Sequence, residues 1–170
     1  MNRGGLLTAL TLLGLWVLVT QVNHYLAVWH MYIFAGGLFV TGAALRLPVG
    51  DGMLATVLAG LLFDGNTPVP FGTHALLFLA AYAFLRQLSH RLPADLPAAQ
   101  VLAALLANLL LFAAVTVVVA SRLPARGAVW PRLIFDLLVS QGFLVLVGPW
   151  FFALQTRVLG LARSAEYSRF

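Results

Sequence analysis

Six apolar blocks follow one another along the chain, most of them bounded by glycine, proline or arginine. Within a block the apolar residues run on without alternation: residues 101–120 read VLAALLANLLLFAAVTVVVA. A transmembrane barrel would show segments of about ten residues, apolar and polar in turn. In hydrocarbon every backbone amide needs an internal partner, so helices or a closed barrel are the spanning structures. Solid runs therefore predict helices, over residues 5–22, 24–45, 49–63, 71–85, 98–121 and 132–155. The first, second, fifth and sixth approach the roughly 20 residues that cross about 30 Å of hydrocarbon. The third and fourth, at about 15 residues or about 22 Å each, either thin the bilayer locally or form a re-entrant hairpin buried in protein. The predicted fold is all-α: a polytopic membrane protein of one multi-pass domain over residues 1–170, with a basic tail at 156–170.

Proline and glycine punctuate the blocks. Pro48-Val49-Gly50-Asp51-Gly52 separates the second and third helices, and residues 64–70 the third and fourth. Pro93 and Pro97 precede the fifth helix, and Pro124 and Pro131 follow it. None of these loops is long enough to hold a soluble domain, and no internal repeat stands out. Residues 1–22 superficially resemble a signal peptide. Their apolar stretch exceeds the usual h-region and no small-x-small cleavage site follows, so they read as a retained first span.

Composition reinforces the pattern. Hydrophobic residues make up 62% of the chain and charged ones 9%, against about a quarter charged in soluble domains. A soluble fold of this size could not cover so much apolar surface. The net charge of +5 comes from arginines without any lysine. They flank the apolar blocks, which suits membrane-span ends rather than a nucleic-acid surface. With the amino terminus inside, Arg3, Arg46, Arg86, Arg91, Arg157, Arg163 and Arg169 are cytoplasmic, and Arg122, Arg126 and Arg132 lie outside. That bias favours both termini in the cytoplasm. The basic tail can lie on an anionic leaflet or stand as a solvated flank of the last span.

Polar residues inside the blocks are the candidate functional groups, because ionisable side chains in spans are costly. Asp64 ends the third helix, His74 lies one turn into the fourth and Asp136 one turn into the sixth. All three fall near the outer face, with His30, Arg122, Arg126 and Arg132. An Asp–Arg cluster tying the third helix to the sixth is one expectation; independent contact of each group with interfacial water is the other. Asn108 and Gln141 lie near the middles of the fifth and sixth helices, where two amides could hydrogen-bond across the pair. Gly36, Gly37 and Gly42 suit close helix packing. Gly148-Pro149 should kink the sixth helix, and Trp16, Trp29, Trp130 and Trp150 suit interfacial anchoring.

Catalysis finds little support. The absence of cysteine excludes thiolate chemistry and disulfides. His24 and His30 are six apart, on different helix faces, and no HExxH, GxSxG or phosphate loop is present. No enzyme activity, cofactor or metal is expected.

Residues 59–85, AGLLFDGNTPVPFGTHALLFLAAYAFL, resemble the rod shape-determining MreD family of bacterial inner-membrane proteins. The resemblance rests on an apolar helix ending Gly60-Leu61-Leu62-Phe63-Asp64, then a loop with Pro70, Phe71 and Gly72, then an apolar helix with Tyr82. Residues 144–154, LVLVGPWFFAL, followed by Arg157, are similar to that family's last helix, with Pro149-Trp150 and a basic tail. The resemblance implies a non-enzymatic scaffold of the cell-elongation machinery in the bacterial inner membrane. Its implied partners are MreC, the actin-like MreB filament, directly or indirectly, and wall-synthesis enzymes; no nucleic acid is expected. It also implies a fold like the six-helix substrate-binding subunits of energy-coupling-factor transporters. A vitamin- or metal-capturing subunit is therefore the alternative, with Asp64, Asn66, His74, Arg132 and Asp136 as its available polar groups.

Overall fold

The computed structural model describes residues 3–67, 69–89, 96–121 and 130–167. Regular structure among them is entirely helical: α1 (Arg3–Leu26), a 3₁₀ turn (Ala27–Trp29), α2 (Gly36–Arg46), α3 (Val49–Asp64), α4 (Thr73–Ser89), α5 (Pro97–Ala120) and α6 (Trp130–Tyr167). Three stretches, Leu7–Trp29, Pro97–Ala120 and Trp130–Gly160, are long and apolar enough to cross a membrane. Arg91, Arg122, Arg126, Arg169, Pro93 and Pro124 lie outside the described residues.

The second predicted helix is the main correction. No break occurs at residues 22–24; α1 continues through His24 to Leu26. The chain then turns at His30, whose φ of 55° is left-handed, and residues 31–35 are not helical. Only at Gly36 does α2 begin, and it is 11 residues long, about 16 Å. Residues 31–46 thus run through the core as five non-helical residues followed by a half-length helix. Hydropathy cannot detect this break, because the segment is as apolar as the helices around it.

α2 is the centre of the molecule. It packs against every other α-helix, and residues 36–44 are all buried. Two of its small residues permit this. A β-carbon on Gly37 would run into the Ala104 carbonyl and the Asn108 backbone nitrogen of α5. One on Gly42 would meet the Gln155 side chain of α6 at 3.0 Å. Close backbone approach through small residues is how helices gain dispersion energy where lipid supplies no hydrophobic drive. α3 and α4 form a hairpin by the same device, with Gly60 against the Ala75 backbone. The core between these elements is rich in phenylalanine. Phe34, Phe39, Phe63 and Phe78 meet mostly edge-to-face, with centroids 5.3–6.3 Å apart, a favoured geometry for ring quadrupoles.

α6 is longer than expected. It runs through Gly148-Pro149 without interruption and reaches Tyr167, 38 residues in all. Leucine, alanine, arginine and glutamate dominate residues 157–166, and all are good helix formers. The basic tail is therefore continuous with the last span up to Tyr167 rather than a separate segment.

Candidate functional site

An unwound segment inside an apolar bundle has backbone groups without helical partners, and each left unpaired in hydrocarbon costs several kcal/mol. Side chains from three helices supply those partners here. Tyr32 N–H donates to Asp136 Oδ1 at 3.0 Å. Ile33 N–H donates to Asn23 Oδ1 at 2.7 Å, and Asn23 Nδ2 donates back to the Ile33 carbonyl at 2.8 Å. Phe34 N–H donates to Ser140 Oγ at 2.9 Å. Gly37 N–H, in the first turn of α2, donates to Asn108 Oδ1 at 3.0 Å. Asn108 thus acts as an N-cap delivered from another helix. At the opposite end of α2, Arg86 Nη1 donates to the Ala44 carbonyl at 2.8 Å. Both ends of the half-length helix are tied by remote side chains.

A second knot joins α3 to α4. Asp64 Oδ2 accepts the Gly72 N–H at 2.8 Å, and Oδ1 accepts both the His74 N–H and His74 Nδ1, each at 2.9 Å. The carboxylate therefore sits at the amino terminus of α4, where the helix dipole favours an anion. Gly72 makes this possible. Its φ of 94° aims its N–H at Asp64, a conformation that costs an L-residue about 1–2 kcal/mol. Pro70 closes the same turn, its carbonyl accepting from the Thr73 hydroxyl at 2.7 Å. His74 is fully buried, against Phe34, Phe63 and Phe78, and among the described residues its Nε2 meets no hydrogen-bond partner.

The structure brings some of the expected residues together and separates others. Asp64 and His74 are bonded. Asp64 and the α6 charges do not form the expected Asp–Arg tie between α3 and α6. Asp64 is taken by α4, and the exposed Arg132 faces the buried Asp136 within its own helix at 3.9 Å, beyond hydrogen-bond length. Asn108 and Gln141 do not bond each other. Asn108 turns to Gly37, while Gln141 Nε2 donates to the Leu105 carbonyl of α5 at 3.2 Å. Pro149 and Trp150 lie towards the other end of α6 and share a surface groove with Arg157; Trp150 is 80% exposed. Asn23, Tyr32 and Ser140 were not singled out from the sequence. The signal available was a polar residue near the carboxyl end of the first block and a serine one turn after Asp136.

Tyr32, His74 and Asp136 help to line a half-open cavity of about 460 Å³ near the Asp64 end of the bundle. Tyr32, Asn66, Thr67, Arg132 and Asp136 give it a polar side; Phe112 and its α5 neighbours give it an apolar one. The Ser140 hydroxyl is fully occupied, accepting from Phe34 and donating to the Asp136 carbonyl at 2.6 Å, so it is not poised as a nucleophile. Among the described residues no third His, Asp or Glu joins Asp64 and His74 to make a metal-binding group. None of the family models, curated proteins or solved structures compared with the chain matches it.

Proposed function

We propose that this chain is a non-enzymatic membrane scaffold of the bacterial cell-elongation machinery, as its resemblance to the MreD family implies. In this reading it crosses the inner membrane six times with both termini cytoplasmic. One crossing is the broken one formed by residues 31–46. The observation that carries the reading is α6. Its 38 residues measure about 57 Å, while hydrocarbon takes up about 30 Å. A long helix that packs on α2 through Phe151 and Gln155 while its outer face carries the exposed side chains of Trp150 and Arg157 suits a part that transmits position to cytoplasmic partners.

The buried polar groups support the same reading. A ligand-capturing subunit needs several polar groups converging on empty space. In this chain both oxygens of Asp64, Oδ1 of Asp136 and Oδ1 of Asn108 already accept hydrogen bonds from the protein. Those oxygens hold the shape of the bundle and leave Asp136 Oδ2 and Arg132 as a single charged pair beside the cavity.

The test is photo-crosslinking from native membranes with the reactive group at position 150. Capture of a single-span, coiled-coil MreC-type protein or of an actin-like filament protein is expected. Recovery of a vitamin or metal after mild detergent purification, with no elongation protein crosslinked, would overturn the reading in favour of the transporter subunit.

A further inference from the structure

Beyond the scaffold role, we propose that the cavity at the Asp64 end binds the headgroup of a zwitterionic, amine-bearing phospholipid, its phosphate on Arg132 and its ammonium on Asp136. Four observations carry this.

The first is size: about 460 Å³ falls within the range of small-molecule sites, about 300–1,000 Å³. The second is depth. Arg132 lies two residues after Trp130, at the start of α6, where interfacial aromatic residues mark headgroup level.

The third is charge. Arg132 Nε stands 3.9 Å from Asp136 Oδ2, beyond hydrogen-bond length. Its side chain is 61% exposed and that of Asp136 is 7% exposed, so the cation can move while the anion is fixed. Asp136 Oδ1 is held by the Tyr32 N–H, which leaves Oδ2 directed at the gap. A simple anion entering here would face Asp136, and a simple cation would face Arg132. A ligand carrying both signs a few bonds apart complements both. A primary ammonium donates hydrogen bonds to Oδ2; a quaternary one has no N–H to give.

The fourth is the remaining wall. Phe112, Val115, Val119 and Leu133 line the cavity beside these charges. Their apolar surface suits the first methylenes of an acyl chain rather than a water-soluble ligand.

The experiment uses the full chain, delipidated in detergent and offered an equimolar mixture of phosphatidylethanolamine, phosphatidylcholine and phosphatidylglycerol with matched chains. Retained lipid is read by native mass spectrometry. One charge-assisted contact at a half-exposed site gives a preference of about fivefold, so phosphatidylethanolamine should be retained about that much over the other two. Arg132→Gln removes the phosphate contact that all three lipids share and should lower the retention of each several-fold, with phosphatidylethanolamine still ahead. Asp136→Asn keeps an acceptor for Tyr32 and should abolish the preference while leaving the melting temperature nearly unchanged. Equal retention of the three lipids by the unaltered chain overturns the proposal, as does a preference that survives Asp136→Asn or a retention that Arg132→Gln leaves unmoved. A separate arm offers water-soluble glycerophosphoethanolamine. If it displaces the lipid at equal concentration, the acyl contacts contribute nothing and a soluble zwitterion is the ligand instead.

Discussion

Replacing Asn23 with alanine isolates what the side-chain clamp contributes. Asn23 makes two reciprocal bonds to Ile33, at 2.7 and 2.8 Å, and so satisfies both backbone groups of a residue that is only 5% exposed. Alanine leaves both unpaired. Each orphaned backbone group costs about 1–3 kcal/mol, while hydrogen bonds measured inside membrane proteins average about 0.6 kcal/mol. A cavity of about 240 Å³ adjoins Asn23, and water entering it would recover part of the loss. The expected net cost is therefore about 2–3 kcal/mol, between those limits. At about 2–4 °C per kcal/mol for a chain of this size, the melting temperature should fall by about 4–12 °C. Intrinsic tryptophan fluorescence of the detergent-purified protein reads this directly. Asn23→Asp provides the control. It keeps the acceptor for the Ile33 N–H, loses the donor to the Ile33 carbonyl, and should therefore fall between the alanine variant and the unaltered chain. A melting temperature for Asn23→Ala within a degree of the unaltered protein would refute the idea that side chains hold the unwound segment.

Other substitutions probe neighbouring parts of the structure. Asp64→Ala removes the acceptor of three donors at once and should cost about 3 kcal/mol or more, seen as a lower melting temperature than that of Asn23→Ala. Gly37→Val places a side chain on the α5 backbone; overpacking costs about 1–3 kcal/mol, and a cysteine pair across α2 and α5 should then crosslink more slowly. Gly72→Ala meets no atom within 4 Å but must adopt a φ of 94°; it should lose about 1–2 kcal/mol by the same melting assay, with the fold unchanged by circular dichroism. Asn66→Cys, at an exposed position beside Asp64, should react with an impermeant thiol reagent added outside intact cells; labelling only after lysis would invert the proposed orientation.

Much of the helical framework was legible because apolar runs and proline breaks mark it directly: α3 and α5 start and stop within a residue of their predicted limits. The candidate polar positions were legible as well, since a lone Asp or Asn in an apolar block stands out. Their partners were not. Asn108 and Gln141 share a depth, so pairing looked natural, but the donor that needed Asn108 was the Gly37 backbone. That need arises only because residues 31–35 are unwound, and no proline announces the break. Hydropathy measures what a side chain prefers as solvent. It says nothing about whether the backbone beneath it bonds to itself or to a distant residue. The extension of α6 is hidden for the opposite reason: hydropathy falls after Gln155 and suggests a helix end, although helix propensity there stays high.

The clamp also imposes an order on biogenesis. Phe34 waits for Ser140, 106 residues later, and Tyr32 for Asp136, 104 residues later. At translation rates of about 5–20 residues per second, that interval is about 5–20 s. During it the amino-terminal half holds a segment whose backbone has not yet met its partners. The nascent chain must either hold residues 31–46 in a temporary, wholly helical form or keep them sheltered from lipid until α6 emerges. A ribosome stalled before Ser140 should accordingly leave this segment open to proteases and thiol reagents that the finished protein excludes.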